Sequence, residues 1–228
     1  MDAIILAGGL GTRLRSVVSE VPKCMAPVRD QPFLYYLLNQ FKRYEIDKVI
    51  LSVGYLSEVI YSWIEKEGRN YPFEFEFSKE DEPLGTGGAI YKALHLATSS
   101  NVMIVNGDTF FDINIDDFSQ KHISNNSLVS IALKPMVDFD RYGNVTTDGN
   151  TIRAFCEKEY CAKGQINGGI YILNRDYMLS KVFPTKFSFE TEFLQPSVED
   201  GKLLGFSFDN YFIDIGIPED YQRAQIEL

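Results

Sequence analysis

The sequence predicts an α/β fold: a Rossmann-like, doubly wound, mixed and mainly parallel sheet, with antiparallel additions in its second half. Three observations carry this expectation. Residues 3–6, 48–53 and 101–105 are continuous apolar runs, the pattern of strands covered on both faces. Between them, apolar residues recur at helical spacing. In the second half, from Leu128 onward, the helical spacing gives way to β signals and turn residues.

Taken in order, Ala3, Ile4, Ile5 and Leu6 form the first strand, which empties into a loop rich in glycine. Phe33, Leu34, Leu37, Leu38 and Phe41 mark a helix with Pro32 at its first turn, and residues 48–53 give the next strand. Val59, Ile60, Trp63 and Ile64 repeat the helical spacing, as do Ala89, Ile90, Ala93, Leu94 and Ala97. Phe73, Phe75 and Phe77 alternate with Glu74 and Glu76, which predicts a half-exposed strand. Such strand–helix alternation implies a doubly wound sheet. Residues 128–133 are a strand, Asp148-Gly149 is a hairpin turn, and residues 168–173 and 203–208 add further β structure. With no internal repeat, low-complexity linker or hexapeptide β-helix pattern after Tyr221, residues 1–228 are expected to form one domain without a C-terminal β-helix domain.

The balance of 22 basic and 32 acidic residues leaves a net charge of −10, which argues against a nucleic-acid surface. It leaves room for a phosphorylated ligand wherever positive charge is concentrated. Cys24, Cys156 and Cys161 form no zinc spacing, and His95 and His122 lie far apart; all five read as structural. There is no leader-like n-region and no apolar run approaching a membrane span, so a reduced, cytoplasmic setting without membrane contact is the default expectation.

The chemistry-bearing stretch is Ala7-Gly8-Gly9-Leu10-Gly11-Thr12-Arg13-Leu14, followed by Pro22-Lys23. Glycines let backbone N–H groups close on a phosphate chain, and Arg13 and Lys23 supply fixed positive charge. A Walker A loop would end in Gly-Lys-Ser or Gly-Lys-Thr, which this one does not. The bland alternative is a glycine turn with an exposed arginine. Asp108 ends a strand-like run and Asp214 sits between Ile213 and Ile215 in another, where a carboxylate is poorly solvated unless paired or bound to a cation. For Asp108 the other reading is a turn cap, since Thr109 follows.

The glycine stretch resembles the opening of the sugar-1-phosphate nucleotidyltransferases. Four more stretches resemble that family in the same order: Leu84-Gly85-Thr86-Gly87-Gly88-Ala89; Asn106-Gly107-Asp108; Glu157-Lys158 with Asn167-Gly168-Gly169-Ile170-Tyr171; and Phe212-Ile213-Asp214-Ile215-Gly216-Ile217-Pro218-Glu219-Asp220-Tyr221. The resemblance implies attack by a sugar-1-phosphate oxygen on the α-phosphorus of a nucleoside triphosphate, with pyrophosphate leaving. Two anions must meet, so the protein's task is to relieve repulsion and align them, without a covalent intermediate.

By the matching positions, Arg13 stabilises the β- and γ-phosphates and Lys23 bridges the α-phosphate and the incoming sugar phosphate. Mg²⁺ lies between Asp108 and Asp214. The amides around Gly8, Gly9, Gly11 and Thr12 cradle the triphosphate, and Leu6, Ala7, Gly8, Gly85 and Thr86 face the base. Glu80 stands where thymidylyl- and uridylyl-transferring relatives tend to place glutamine. A carboxylate can accept from N1–H and the 2-amino group of guanine together, which favours GTP. Alternatively, Lys79-Glu80-Asp81-Glu82 is a solvated charge run. On the acceptor side, where the antiparallel additions are expected to form the sugar pocket, the resemblance implies Tyr142, Gly143, Glu157, Lys158, Asn167 and Gly168 within the single catalytic domain: Glu157 takes sugar hydroxyls, Lys158 the sugar phosphate, and the two glycines admit the ring. Glu157 paired with Lys158 at the surface is the competing reading. Ser188 in Phe187-Ser188-Phe189-Glu190 caps a helix, and no chemistry is expected of that stretch.

The short chain and its Glu-Pro-Leu-Gly-Thr-Gly-Gly stretch look most like the guanylyl-transferring subgroup acting on D-glycero-α-D-manno-heptose 1-phosphate, whose products feed capsule, surface-layer or lipopolysaccharide synthesis. Mannose 1-phosphate as acceptor, or a uridylyl- or thymidylyltransferase, are the rivals within the family. A nucleotide-binding regulatory subunit would be expected to lack Arg13, Lys23, Asp108 or Asp214, and all four are present. A glycosyltransferase would show Asp-x-Asp where Asn106-Gly107-Asp108 stands. Oligomeric state is not readable in the sequence, and a homodimer is the general prior.

Overall fold

The structure, a computed structural model, describes residues 1–9, 14, 17, 18 and 20–228. The expected roles of Gly11, Thr12 and Arg13 lie outside the described residues.

In chain order the elements are β1 (Asp2–Leu6), β2 (Pro27–Val28), β3 (Gln31–Pro32), α1 (Phe33–Phe41), β4 (Lys48–Val53), α2 (Ser57–Glu67), β5 (Glu74–Lys79), α3 (Gly85–Leu94), β6 (Asn101–Asn106), β7 (Thr109–Phe111) and α4 (Ile115–Ser124). They continue with β8 (Val129–Phe139), β9 (Gly143–Asp148), β10 (Thr151–Lys158), β11 (Cys161–Asn174), α5 (Arg175–Leu179), a π-turn at Glu190–Leu194 running into α6 (Gln195–Ser197), β12 (Leu203–Ser207), β13 (Phe212–Asp214) and α7 (Pro218–Glu227).

A nine-stranded sheet in the order β5-β4-β1-β6-β11-β8-β12-β10-β9 forms the centre. Its β5-β4-β1-β6 part is parallel, built from the apolar runs of the first half. From β11 onward the pairing is antiparallel, with β8 and β12 a further parallel pair. The α/β, doubly wound expectation holds, and parallel and antiparallel pairings are close to balanced in the mixed sheet.

Double winding follows from the strand period. Successive side chains of a strand point to opposite faces, so Ala3 and Ile5 join one buried cluster while Ile4 joins the other. Val49 and Leu51 divide from Ile50 in the same way, as Met103 and Val105 do from Val102 and Ile104. The first face packs on Phe33, Leu34, Leu37 and Phe41 of α1, Ile60 of α2 and Phe118 of α4. The second packs on Ile90 and Ala93 of α3, and on Phe187, Phe189 and Phe193. Each fully buried Leu, Ile or Phe contributes roughly 1.5–3 kcal/mol relative to exposure, so these two layers are the main source of stability.

The strand order reverses between β1 and β6: the chain steps from β1 through β4 to β5, then returns to the other side of β1. In open α/β sheets such a reversal leaves a crevice at the carboxyl ends of the strands. Separately, β7 pairs antiparallel with β13, Asp214 opposite Thr109, which brings two distant motifs side by side. Among the described residues no helix is long and apolar enough to cross a membrane.

Candidate active site

A cleft of about 400 Å³ opens at that reversal. Its floor is backbone. The end of β1 continues through Ala7, whose N–H donates to the Ser52 carbonyl at 2.8 Å, into Gly8 and Gly9. Gly107 crosses the end of β1 and donates to the Leu6 carbonyl at 3.1 Å. A Cβ at 107 would stand 2.4 Å from that carbonyl oxygen, so only glycine lets the β6 loop lie this close. Gly85, at the start of α3, combines φ of +72° with a would-be Cβ 2.4 Å from the Phe187 carbonyl, and on both counts excludes a side chain.

Of the nucleotide-side residues expected from the sequence, Leu6, Ala7, Gly8, Gly9, Lys23, Glu80, Gly85, Thr86 and Asp108 all line this one cleft. Lys23, from the 3₁₀ turn Lys23–Met25, is ion-paired with Asp108, and its Nζ lies 3.9 Å from Asp214 Oδ1. Its side chain is only 12% exposed, which separates it from a solvated surface lysine. Asp108 and Asp214 are held from behind. The Thr109 hydroxyl donates to Asp108 Oδ1 at 3.2 Å, the Ile215 N–H to the Asp108 carbonyl at 2.9 Å, and the Gly216 N–H to Asp214 Oδ1 at 2.7 Å. A Cβ at 216 would lie 2.8 Å from Asp214 Oδ1 and 3.1 Å from Lys23 Nζ. Gly216 therefore clears the space in which ammonium and carboxylate meet. Beside them the Cys24 thiol is pushed up to about 12 by burial, with the Asp108 charge adding to the effect, which keeps it un-ionised and inert as a nucleophile.

The charge run at 79–82 divides. Glu80 is half-buried on the cleft wall, while Asp81 and Glu82 are exposed. Register decides this: β5 runs beside β4 with Val53 opposite Lys79, and the Glu80 N–H continues the ladder to the Val53 carbonyl at 2.7 Å. The Glu80 carboxylate accepts from the Leu84 N–H at 3.0 Å and the Ser52 hydroxyl at 3.4 Å, and a Cβ at Gly8 would stand 2.4 Å from its Oε1.

Sequence reasoning missed Glu190, which also lines the cleft. Its Oε2 accepts from the Thr86 hydroxyl at 2.7 Å and the Ser188 hydroxyl at 3.1 Å, and Thr86 accepts from the Phe189 N–H at 2.9 Å. The expected cap at Ser188 is present, its hydroxyl accepting from the Thr191 N–H at 3.2 Å, but the turn it opens is a π-turn. Cys24, Pro83, Ala89, Asn106, Gly107 and Gly216 complete the lining. A second acidic residue placed by hydroxyl contacts to Thr86 was the available signal, and it depends on a pairing across more than a hundred residues.

The acceptor-side residues are not in the wall of this cleft among the described residues. Asn167, on β11, donates to the buried Tyr171 hydroxyl at 2.9 Å and accepts from the Gly169 N–H at 3.0 Å. Tyr142 stands just before β9 with its ring 6.2 Å from that of Phe212, two residues from Asp214. Burial, reinforced by the Asp214 charge, pushes its phenol up to about 12, so it is neutral at ordinary pH. Glu157 and Lys158 are exposed at the end of β10, where Lys158 pairs with Gly143. The two glycines need a different explanation from an approaching sugar ring. A Cβ at 143 would stand 2.4 Å from the Cys156 carbonyl, and one at 168 would stand 2.5 Å from the Phe111 ring and 2.8 Å from the Ala132 carbonyl. The protein itself fills those spaces.

Two carboxylates converging on one ammonium form an oxygen donor set that suits a hard divalent cation. Among the described residues no group of three His, Cys, Asp or Glu side chains gathers for a metal. Two protein carboxylates with the remaining positions left to phosphate oxygens and water is the habit of Mg²⁺ at phosphoryl-transfer sites.

Similarity to known proteins points to one family. The nucleotidyl transferase family matches residues 2–228. The chain is 49% identical to D-glycero-alpha-D-manno-heptose 1-phosphate guanylyltransferase of Aneurinibacillus thermoaerophilus, over all of this chain and 98% of that one. It is 46% identical to the enzyme of the same description from Campylobacter jejuni, over 99% of each. The crystal structure of HddC from Yersinia pseudotuberculosis superposes with a TM-score of 0.89 at 37% identity, covering 98% of this chain and 97% of that one, and HddC is also known complexed with GMP-PN.

Proposed function

The chain belongs to the nucleotidyl transferase family, and on that premise we propose that it transfers GMP from GTP to D-glycero-α-D-manno-heptose 1-phosphate, giving a GDP-sugar and pyrophosphate. The observation that carries the guanine reading is Glu80: a half-buried carboxylate at the cleft wall, fixed between Gly8 and the Leu84 amide. A carboxylate there accepts from N1–H and the 2-amino group of guanine and repels the carbonyl edge of a pyrimidine. Full-length similarity to heptose 1-phosphate guanylyltransferases supports both base and sugar.

The sugar phosphate attacks the α-phosphorus in line with the departing pyrophosphate. Phosphate is itself a competent nucleophile near neutral pH, so the residues present are charge and alignment devices and no base is required. The amides of Gly8 and Gly9 receive the triphosphate, and the Lys23 ammonium stands where the two anions meet. Arg13 is assigned to the β- and γ-phosphates. Asp108 and Asp214 would hold Mg²⁺, which supplies charge neutralisation of the phosphate oxygens when bound. The acceptor lies on the antiparallel side, with Tyr142, Glu157, Lys158 and Asn167 around it.

A matrix of GTP, ATP, UTP and dTTP against heptose, mannose, glucose and N-acetylglucosamine 1-phosphates, with Mg²⁺ and scored by pyrophosphate release, tests this directly. Highest turnover is expected for GTP with the heptose 1-phosphate. A higher turnover with UTP or dTTP contradicts the base assignment, and preference for mannose 1-phosphate contradicts the sugar.

A further inference from the structure

Arg141 belongs to none of the motifs that define the site, yet its surroundings are unusual. One guanidinium nitrogen, Nη2, donates both to Asp220 Oδ2 and, at 3.3 Å, to the Tyr142 hydroxyl. Its guanidinium carbon also lies 5.5 Å from the centre of the Tyr142 ring. Asp220 lies on α7, six residues after Asp214, and its side chain is 8% exposed. A carboxylate that dry needs cationic partners, and it has two: Arg141, and Arg223 one turn along the helix at 2.9 Å. The two guanidiniums do different things. Arg223 satisfies Asp220 from within α7, whereas Arg141 reaches it from the loop before β9, 79 residues away in sequence.

The far side of α7 is anchored as firmly. Tyr221 donates its hydroxyl to the Pro27 carbonyl, Gln225 Nε2 donates to the same carbonyl at 2.8 Å, and the Arg29 N–H donates to Gln225 Oε1 at 2.7 Å. Those partners lie in the β2–β3 hairpin directly after Lys23. Helix α7 is thus tied at one edge to the segment carrying Lys23 and at the other, through Asp220 and Arg141, to the loop carrying Tyr142.

We propose that Arg141 is a positioning residue for the acceptor: by spanning Asp220 and the Tyr142 hydroxyl it fixes the Tyr142 phenol against Phe212 and beside Asp214, at the sugar-phosphate side of the reaction centre. This rests on the acceptor placement given under Proposed function. Among the described residues Arg141 is the hydrogen-bond partner of the Tyr142 hydroxyl, so the orientation of the phenol depends on the guanidinium. Because Asp220 keeps Arg223 when Arg141 is lost, removing Arg141 frees the tyrosine without leaving a buried charge unpaired.

The test compares Arg141→Ala with Arg223→Ala. Losing a charge-assisted hydrogen bond of this kind is expected to raise the KM for the sugar 1-phosphate about tenfold in Arg141→Ala, with the KM for GTP changed less than about twofold. Arg223→Ala, which touches Asp220 but not Tyr142, is expected to leave both unchanged. Arg141→Lys restores the Asp220 contact without the planar fork and should fall between. Tyr142 ring signals, followed by NMR without substrate, are expected to broaden or shift in Arg141→Ala and to stay in place in Arg223→Ala. Equal KM increases for both substrates, equal effects of the two alanine variants, or an unmoved Tyr142 ring would each overturn the assignment. The ring signals do not depend on turnover, so an enzyme inactive with GTP and every sugar phosphate would break the functional reading while this position was still being tested.

Discussion

The two sides of the proposed reaction centre are built by different means. The nucleotide side is a concave cleft at the carboxyl ends of parallel strands, floored by backbone and edged by Lys23, Glu80 and Glu190, with Gly8, Gly85, Gly107 and Gly216 clearing specific atoms. The acceptor side spreads over β9, β10 and β11. Its polar residues are half-buried or exposed, its glycines are filled against the protein, and Tyr142 is oriented by an arginine that answers to a distant helix. A parallel sheet yields a binding edge by topology, since each strand must end in a loop at the same rim. An antiparallel extension has no such rim and must place its groups by side-chain tethers. Variation in the acceptor therefore costs less structural change than variation in the nucleotide.

That contrast can be broken at several points. The largest effect is expected at Lys23. Lys23→Ala removes the ammonium between Asp108 and Asp214 and should lower kcat by roughly a hundredfold or more with the fold intact, as loss of preorganised charge does elsewhere. Steady-state kinetics with circular dichroism on the same sample checks both halves. A variant within a few-fold of the parent would place the reacting phosphates away from the cleft.

Next comes Glu80→Gln, expected to cut the preference for GTP over UTP by about tenfold, through lost discrimination rather than lost rate. Competition assays with both nucleotides read this directly; an unchanged ratio would return Glu80 to a structural role at the Leu84 turn. Gly168→Ala sharpens the comparison from the other side. Its Cβ would meet the Phe111 ring and the Ala132 carbonyl, so the expected outcome is overpacking of about 1–3 kcal/mol, seen as a lowered denaturation midpoint. A raised KM for the sugar phosphate at unchanged stability would instead put the sugar ring over Gly168.

How legible the molecule is in its sequence follows the same division. The glycine loop, Asn106-Gly107-Asp108 and the Asp214-Ile215-Gly216 stretch are local signatures of close backbone approach, and the structure gathers their described residues around one ammonium. Glu80 was ambiguous because a run of charge looks the same whether solvated or not; only the β4–β5 register separates it from Asp81 and Glu82. Glu190 escaped because its hydroxyl partner, Thr86, lies 104 residues away. Arg141 escaped for the same reason: its partner on α7 carries no mark in the local pattern. The fold itself was readable from apolar runs and helical spacing, since burial on two faces leaves a period in the sequence that a tether between distant loops does not.

The effect with the least expected consequence for turnover is remote from the cleft. His122, buried in α4 with Nδ1 2.8 Å from Ser130 Oγ, has its pKa lowered by burial to about 4, below the value of an unfolded histidine. The unfolded chain therefore binds the proton more readily between about pH 4 and 6.5, so stability falls as pH drops through that window and levels below it, by on the order of 3 kcal/mol. Denaturant midpoints from pH 7 to pH 4 should show this slope in the parent and a shallower one in His122→Gln. Identical slopes would assign the acid sensitivity to other groups.

The most direct measurement is a crystal structure with a non-hydrolysable GTP analogue and Mn²⁺ in place of Mg²⁺. The expected result is an anomalous peak between the carboxylates of Asp108 and Asp214, the guanine edge within hydrogen-bonding distance of Glu80, and the phosphates over Gly8, Gly9 and Lys23. A nucleotide bound outside the cleft, or a metal held by neither aspartate, would contradict it.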